Sequence, residues 1–161
     1  MPDHLRNFRR LYVREGERVL VAPEADQAVA RGYPIWEPKG AWRDGRRITI
    51  LTEKARYAVG EEVRVIHVAE SVRKGDTLWV AGPKEVRGEI VDGVLVTPPY
   101  PEGNNFPFSL LCIYDGLVVD APGVDYGFEI TSRRFGEPGV HTIVWRAGVL
   151  ESNTIMVIVG G

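Results

Sequence analysis

The chain has one cysteine, Cys112, so no disulfide can close within it and the fold must rest on a packed core. Cys112 lies in the apolar run LLCIY, where a small buried hydrophobe is the plain reading. A catalytic thiolate would need a histidine beside it in an accessible, electropositive spot. Surplus positive charge is also missing. The 20 Lys plus Arg stand against 22 Asp plus Glu, a net charge of -2. That balance argues against nucleic acid as the main partner, because phosphate binding calls for an excess of cations. No run approaches the roughly 18 apolar residues of a membrane helix, so no membrane partner is expected. The opening MPDHLRNFRRLYVREGE lacks the apolar core of a signal peptide, which makes a cytoplasmic location the expectation.

The marked chemical motifs are absent too. There is no G-x-G-x-x-G and no G-x-x-x-x-G-K-[ST] to cradle phosphate, no H-E-x-x-H or C-x-x-C for zinc, and no G-x-S-x-G elbow for a nucleophilic serine. No cofactor, metal or catalytic residue is assigned. A metal-dependent enzyme assembled from distant residues is the least favoured class.

What is present is a core. Hydrophobic residues make up 44% of 161 residues, enough for one ordinary domain without staples. Residues 1–46 read as an N-terminal arm and 47–161 as the domain. In the arm, Arg6, Arg9, Arg10 and Arg14 are interspersed with Leu5, Phe8, Leu11 and Tyr12, a spacing that suits an amphipathic helix, an arm lying across a neighbouring subunit or an acidic partner, or a terminus with a solvated charged face. Arg18 to Ala22 reads as a short strand. PEADQAVARG places Pro23 at the start and Gly32 past the end of a two-turn helix. YPIWEPKGAWRDGRR interleaves Tyr33, Trp36 and Trp42 with prolines, which bar it from a helix or a central strand. Those aromatics either cover the domain or form a stacking platform.

From Arg47 onward, short strands alternate with turns at intervals of 8–12 residues. Val140 to Val159 reads as a closing hairpin around Ala147-Gly148. In its first run His141, Ile143 and Trp145 share a face; its second run, Thr154 to Val159, is apolar on both faces and calls for cover on both sides. In Glu62 to Glu70, Val63 and Val65 face one way and Ile66 and Val68 the other, which predicts a bulge or two-sided burial. TLWVA, with Trp79, reads as a core strand, and Asp92-Gly93 and Asp115-Gly116 as hairpin turns. Tyr126 to Thr131 reads as a further strand. The sum is an all-β, antiparallel sandwich, with a closed barrel as the alternative.

Two segments carry a family resemblance. Thr52-Glu53-Lys54, Tyr57, Gly60-Glu61 and Val63 fit T-x-K-x-x-Y-x-x-G-E-x-V. Pro138-Gly139-Val140-His141-Thr142-Ile143, Ala147-Gly148 and Glu151-Ser152-Asn153-Thr154 fit a final strand pair. Together they resemble bacterial immunoglobulin-like and macroglobulin-like β-sandwich modules over residues 48–159, without the antibody-type cysteine pair. The resemblance implies an immunoglobulin-like sandwich that binds or scaffolds, and it transfers no catalytic residue.

Function is therefore sought on the surface. The favoured expectation is an interaction or assembly module that binds a protein partner or its own copies as a homo-oligomer. The alternative is a carbohydrate or small-ligand binder. Its site would be the proline-rich loop 97–107, where Tyr100 and Phe106 offer flat faces and Asn104 and Asn105 offer paired donors and acceptors, joined by Trp36 and Trp42. His67 and His141 alternate with apolar neighbours; they read as satisfied core histidines, or as metal ligands if the sheet brings them together. Asp115, Asp120 and Asp125 read as turn residues, or as calcium-binding carboxylates.

Overall fold

A computed structural model describes residues 11–80, 82–101 and 118–160. Of these, 49% are strand and 8% helical, which places the chain in the all-β class. The elements in order are β1 (Tyr12–Glu15), β2 (Arg18–Val21), α1 (Glu24–Arg31), a 3-10 turn (Tyr33–Ile35), β3 (Arg46–Leu51), β4 (Arg56–Ala58), β5 (Glu62–Ser71), β6 (Thr77–Trp79), β7 (Glu89–Val91), β8 (Val94–Leu95), β9 (Val118–Asp120), β10 (Gly123–Asp125), β11 (Thr131–Arg134), β12 (Gly139–Ala147), β13 (Leu150–Glu151) and β14 (Ile155–Gly160).

Two larger sheets carry the core. In the first, β5 is paired with β3, β10 and β11; in the second the order is β4-β14-β12-β7-β8, with β13 on β12. Two-stranded ribbons β1-β2 and β6-β9 complete the described set. All ladders are antiparallel except β4 with β14.

β5 has polar or charged residues at intervals, yet it is buried along almost its whole length. Its alternation explains this. Val63, Val65 and Ala69 join Ile48 and Ile50 against Ile143, Trp145, Val157 and Val159 of the second sheet. Ile66 and Val68 point the other way, into a second cluster with Leu11, Ala22, Ala30, Tyr33, Val124 and Tyr126. Of the two sequence expectations for this strand, two-sided burial is the one observed. The cover is residues 11–42, folded onto the outer face of the first sheet. Gln27 pins that cover: its amide accepts from Leu11 N at 2.8 Å and donates to Leu11 O at 2.9 Å. Asp26 holds the Arg64 guanidinium at 2.8–3.1 Å.

The T-x-K-x-x-Y-x-x-G-E stretch makes a crossing between sheets. After β3, Thr52 Oγ1 donates to Lys54 O at 3.0 Å, and Lys54 Nζ meets Glu61 Oε1 at 2.6 Å. Glu61 Oε2 also accepts from Ala58 N at 2.8 Å. The loop thus delivers β4 to β14 in the second sheet and returns the chain to β5 in the first. Near the chain's end, Asn153 latches the sheets together. Its side chain accepts from Ile50 N at 2.8 Å and donates to Ile50 O at 3.0 Å, bonding the free edge of β3 as a neighbouring strand would.

Several sequence expectations need correction. Tyr12–Glu15 is a strand paired with β2, so the amphipathic-helix pattern does not extend over it; residues 1–10 lie outside the described residues. Tyr126 to Thr131 is a link between β10 and β11, and only Thr131 is strand. Trp79 is half-buried on the small β6-β9 ribbon, outside the core cluster. β14 buries Ile155, Val157 and Val159, but Met156 on the opposite face is 58% exposed. An antiparallel sheet can leave one face to water, and here the second sheet does so. The Asp92-Gly93 turn is as expected, with φ of 50° and 79°. The Asp115-Gly116 turn lies outside the described residues.

Trp145 anchors the inter-sheet core. It is fully buried, packs edge-on to Phe128 with ring centroids 5.1 Å apart, and donates its indole N–H to Arg87 O at 2.9 Å. Trp145→Ala is expected to lower the unfolding free energy by about 3–5 kcal/mol in urea titrations. A loss below about 1 kcal/mol would mean that the two sheets do not pack through this ring.

Candidate functional site

The two candidate histidines lie in different places. His67, on β5, is enclosed between the sheets. Its Nε2 faces Glu89 Oε2 at 3.1 Å, and its ring stands edge-on to Trp145 at 5.0 Å. Nδ1, on the other side of the ring, is buried with no hydrogen-bond partner among the described residues. Glu89 is also fully buried and accepts from Thr131 Oγ1 at 2.8 Å and from Arg133 Nε at 3.1 Å. Burial alone would raise the Glu89 carboxyl, but the His67 and Arg133 contacts outweigh it and hold the pKa at about 2. His141 is at the rim, stacked on Phe135 at 4.2 Å. Its Nδ1 meets Asp92 Oδ2 at 2.6 Å and its Nε2 meets Glu137 O at 2.8 Å. Two acceptors require two ring protons, and these contacts raise the His141 pKa above its ordinary value. The sheets do not bring the two histidines to a common centre.

Of the aspartates, Asp120 is exposed on β9 and Asp115 lies outside the described residues. Asp125 is not a simple turn residue. It is fully buried, and its carboxylate oxygens lie 3.0–3.1 Å from Lys84 Nζ, which also donates to Trp79 O and Gly127 O. Burial pulls the Lys84 amine down and pushes the Asp125 carboxyl up, and each opposes the other's displacement. Among the described residues no group of three His, Cys, Asp or Glu side chains is placed to hold a metal.

The described stacking residues have different surroundings. Trp42 is 45% exposed, but the Arg47 guanidinium lies 4.0 Å from its ring centre and occupies one face. Trp36 packs against both core clusters. Tyr100 is part of the inter-sheet core's margin, and burial pushes its hydroxyl up to about 12. It lines a groove of about 500 Å³ with Ile90, Leu95, Pro99, Arg146 and Val149, and neither tryptophan borders that groove. Asn104, Asn105 and Phe106 lie outside the described residues.

A feature that no local motif marks is the outer face of the second sheet. The register places Leu95, Ile90 and Val144 in one row, Thr142 and Met156 in the next, and Val140, Ile158 and Arg56 in a third. Val140 is 57% and Leu95 48% exposed, and Ile90, Val144 and Ile158 are partly so. The signal was present in the two-sided apolar pattern of β14, which implied a cover; among the described residues Met156 is left 58% exposed. No family model, curated protein or solved structure matches this chain. Its own surface is therefore the ground for any functional reading. Among the described residues no helix is long and apolar enough to cross a membrane.

The His67–Glu89 site is sealed, so its effect is on stability. Because the folded pKa of Glu89 lies below its ordinary 4.5, the stabilisation is present above pH 4.5 and is lost as pH falls toward 2. The difference in unfolding free energy between the parent and Glu89→Gln is expected to be largest above pH 5 and to shrink toward pH 2. A difference that stays constant over that range in urea titrations would contradict this assignment.

Proposed function

We propose that this chain is a non-catalytic interaction or assembly module on an immunoglobulin-like β-sandwich, binding a protein partner or its own copies. The fold part of this reading is supported by strand order. The opening strand is divided between two sheets, β3 on β5 and β4 parallel to β14, and the last long strands β12 and β14 are neighbours. The functional part is carried by one observation, the contiguous apolar rows on the outer face of the second sheet. Monomeric proteins rarely leave large contiguous apolar patches open to water, and such patches mark sites of association. The ionisable groups buried most deeply, in contrast, are neutralised inside the core: Glu89 by His67 and Arg133, Asp125 by Lys84.

The alternative, a carbohydrate or small-ligand binder, draws its support from the groove beside Tyr100, whose apolar walls and single cationic side chain, Arg146, suit a small ligand. The groove shares Ile90 and Leu95 with the outer face, so the two readings differ in the kind of occupant and in whether it reaches Met156. A photo-reactive residue at position 156, introduced into the full chain in its native host, is expected to cross-link to a protein. The same residue at exposed Val72, outside the second sheet, is expected not to. Adducts absent at 156 would contradict the interaction reading. A small-molecule adduct confined to a probe at Val149, on the groove, would favour the alternative.

A further inference from the structure

We infer that the partner on the outer face of the second sheet is a second copy of this chain, with the two faces packed on each other and their strands antiparallel. The inference rests on the interaction reading above and names its occupant. Shape gives the first argument. The face is the side of a sheet, spread over β8, β7, β12, β14 and β4, and its matching surface is another sheet face at the ordinary face-to-face spacing of about 10 Å. The strands β4, β14, β12, β7 and β8 have 3, 6, 9, 3 and 2 residues, which at about 3.3 Å per residue and about 4.8 Å between strands span on the order of 360 Å². Two such faces bury an area of the small class, that of a weak, concentration-dependent dimer. With a net charge of only -2, two copies meet with little mutual repulsion.

Charge at the ends of the face gives the second argument, and it fixes the direction. At one end Arg56 lies beside Ile158 on the short strand β4, exposed and without an ion-pair partner among the described residues. At the other end Glu151 is exposed on β13 opposite Arg146, which it meets at 3.1 Å. A two-fold axis running across the strands reverses the second copy end for end. Arg56 of each copy then faces Glu151 of the other, and the apolar rows around Thr142 and Met156 meet at the centre. A two-fold axis along the strands would instead carry Arg56 to the β8 edge of the other copy, away from Glu151. Isologous pairing of this kind is the commonest form of soluble oligomer, and every contact in it occurs twice.

Light scattering and sedimentation on the full chain provide the test. The expected mass is twice the 18.0 kDa of the chain. Met156→Lys, and independently Thr142→Arg, are expected to give monomer while keeping the parent's circular dichroism spectrum. Arg56→Glu and Glu151→Arg are each expected to weaken the dimer roughly tenfold, since symmetry counts each charge twice. The double variant is expected to recover the parent affinity. A chain that stays monomeric to about 100 µM would overturn the inference, as would a dimer that survives both central substitutions. Charge variants that weaken the dimer singly without recovering together would overturn the antiparallel arrangement. Cross-linking at position 156 to a protein of another mass would remove the second copy yet leave the interaction reading standing; no protein adduct at all would remove both.

Discussion

β5 must hide both of its faces, and most of the structure follows from that requirement. An antiparallel strand ordinarily shows one face to a core and one to water, but β5 carries apolar residues on both, together with two buried ionisable side chains, His67 and Glu70, and a half-buried one, Arg64. Each of those needs a particular partner, because an uncompensated buried charge costs far more than a lost surface contact. His67 looks inward and is met by Glu89 of β7, which ties the first sheet to the second. Glu70 looks outward and is met by Arg47 at 2.8 Å and by the Tyr33 hydroxyl. Burial and the Glu70 charge together raise the Tyr33 pKa well above its ordinary value, so this hydroxyl remains a donor. Arg64, near the start of the strand, is met by Asp26 of α1. Apolar area gives the covering segment its affinity for the sheet, and the contacts of Tyr33 with Glu70 and of Asp26 with Arg64 fix where it lies.

The two sheets are consequently unlike. The first has its outer face filled by residues 11–42; the second has an outer face just as apolar in part, with no cover of that kind among the described residues over Val140, Leu95 and Met156. The difference separates the internal chemistry of the protein from its outward one. The most deeply buried carboxylates, Glu89 and Asp125, are paired inside the core, while the apolar rows of the second sheet's outer face are exposed. The proposal of association through this face, and of a second copy as its occupant, rests on that asymmetry together with the placement of Arg56 and Glu151 at opposite ends.

The sequence made the strand-and-turn frame legible because period-two alternation and Asx-Gly turns are local signals. Glu62 to Glu70, the Asp92-Gly93 hairpin and the helix between Pro23 and Gly32 all depend on neighbours within a few residues. What stayed hidden depends on distant partners. Asp125 next to Ala-Pro-Gly looks like turn chemistry, and nothing near it in sequence reveals Lys84. Asn153 looks like part of a final turn, yet its amide bonds to Ile50. Trp79 has the composition of a core residue, but its ribbon leaves it half-covered. For the site, the pattern Ile155 to Val159 announced that both faces of β14 want cover, and only the register showed which neighbours share the open face.

Native-state hydrogen exchange tests most directly whether β5 is held by both faces. If the covering segment and the strand form one cooperative unit, the amides of α1 and those of β5 exchange with the same free energy, equal to that of global unfolding. Exchange in α1 at a markedly lower free energy, with β5 still protected at the global value, would show that the outer cover is an accessory and contradict the account.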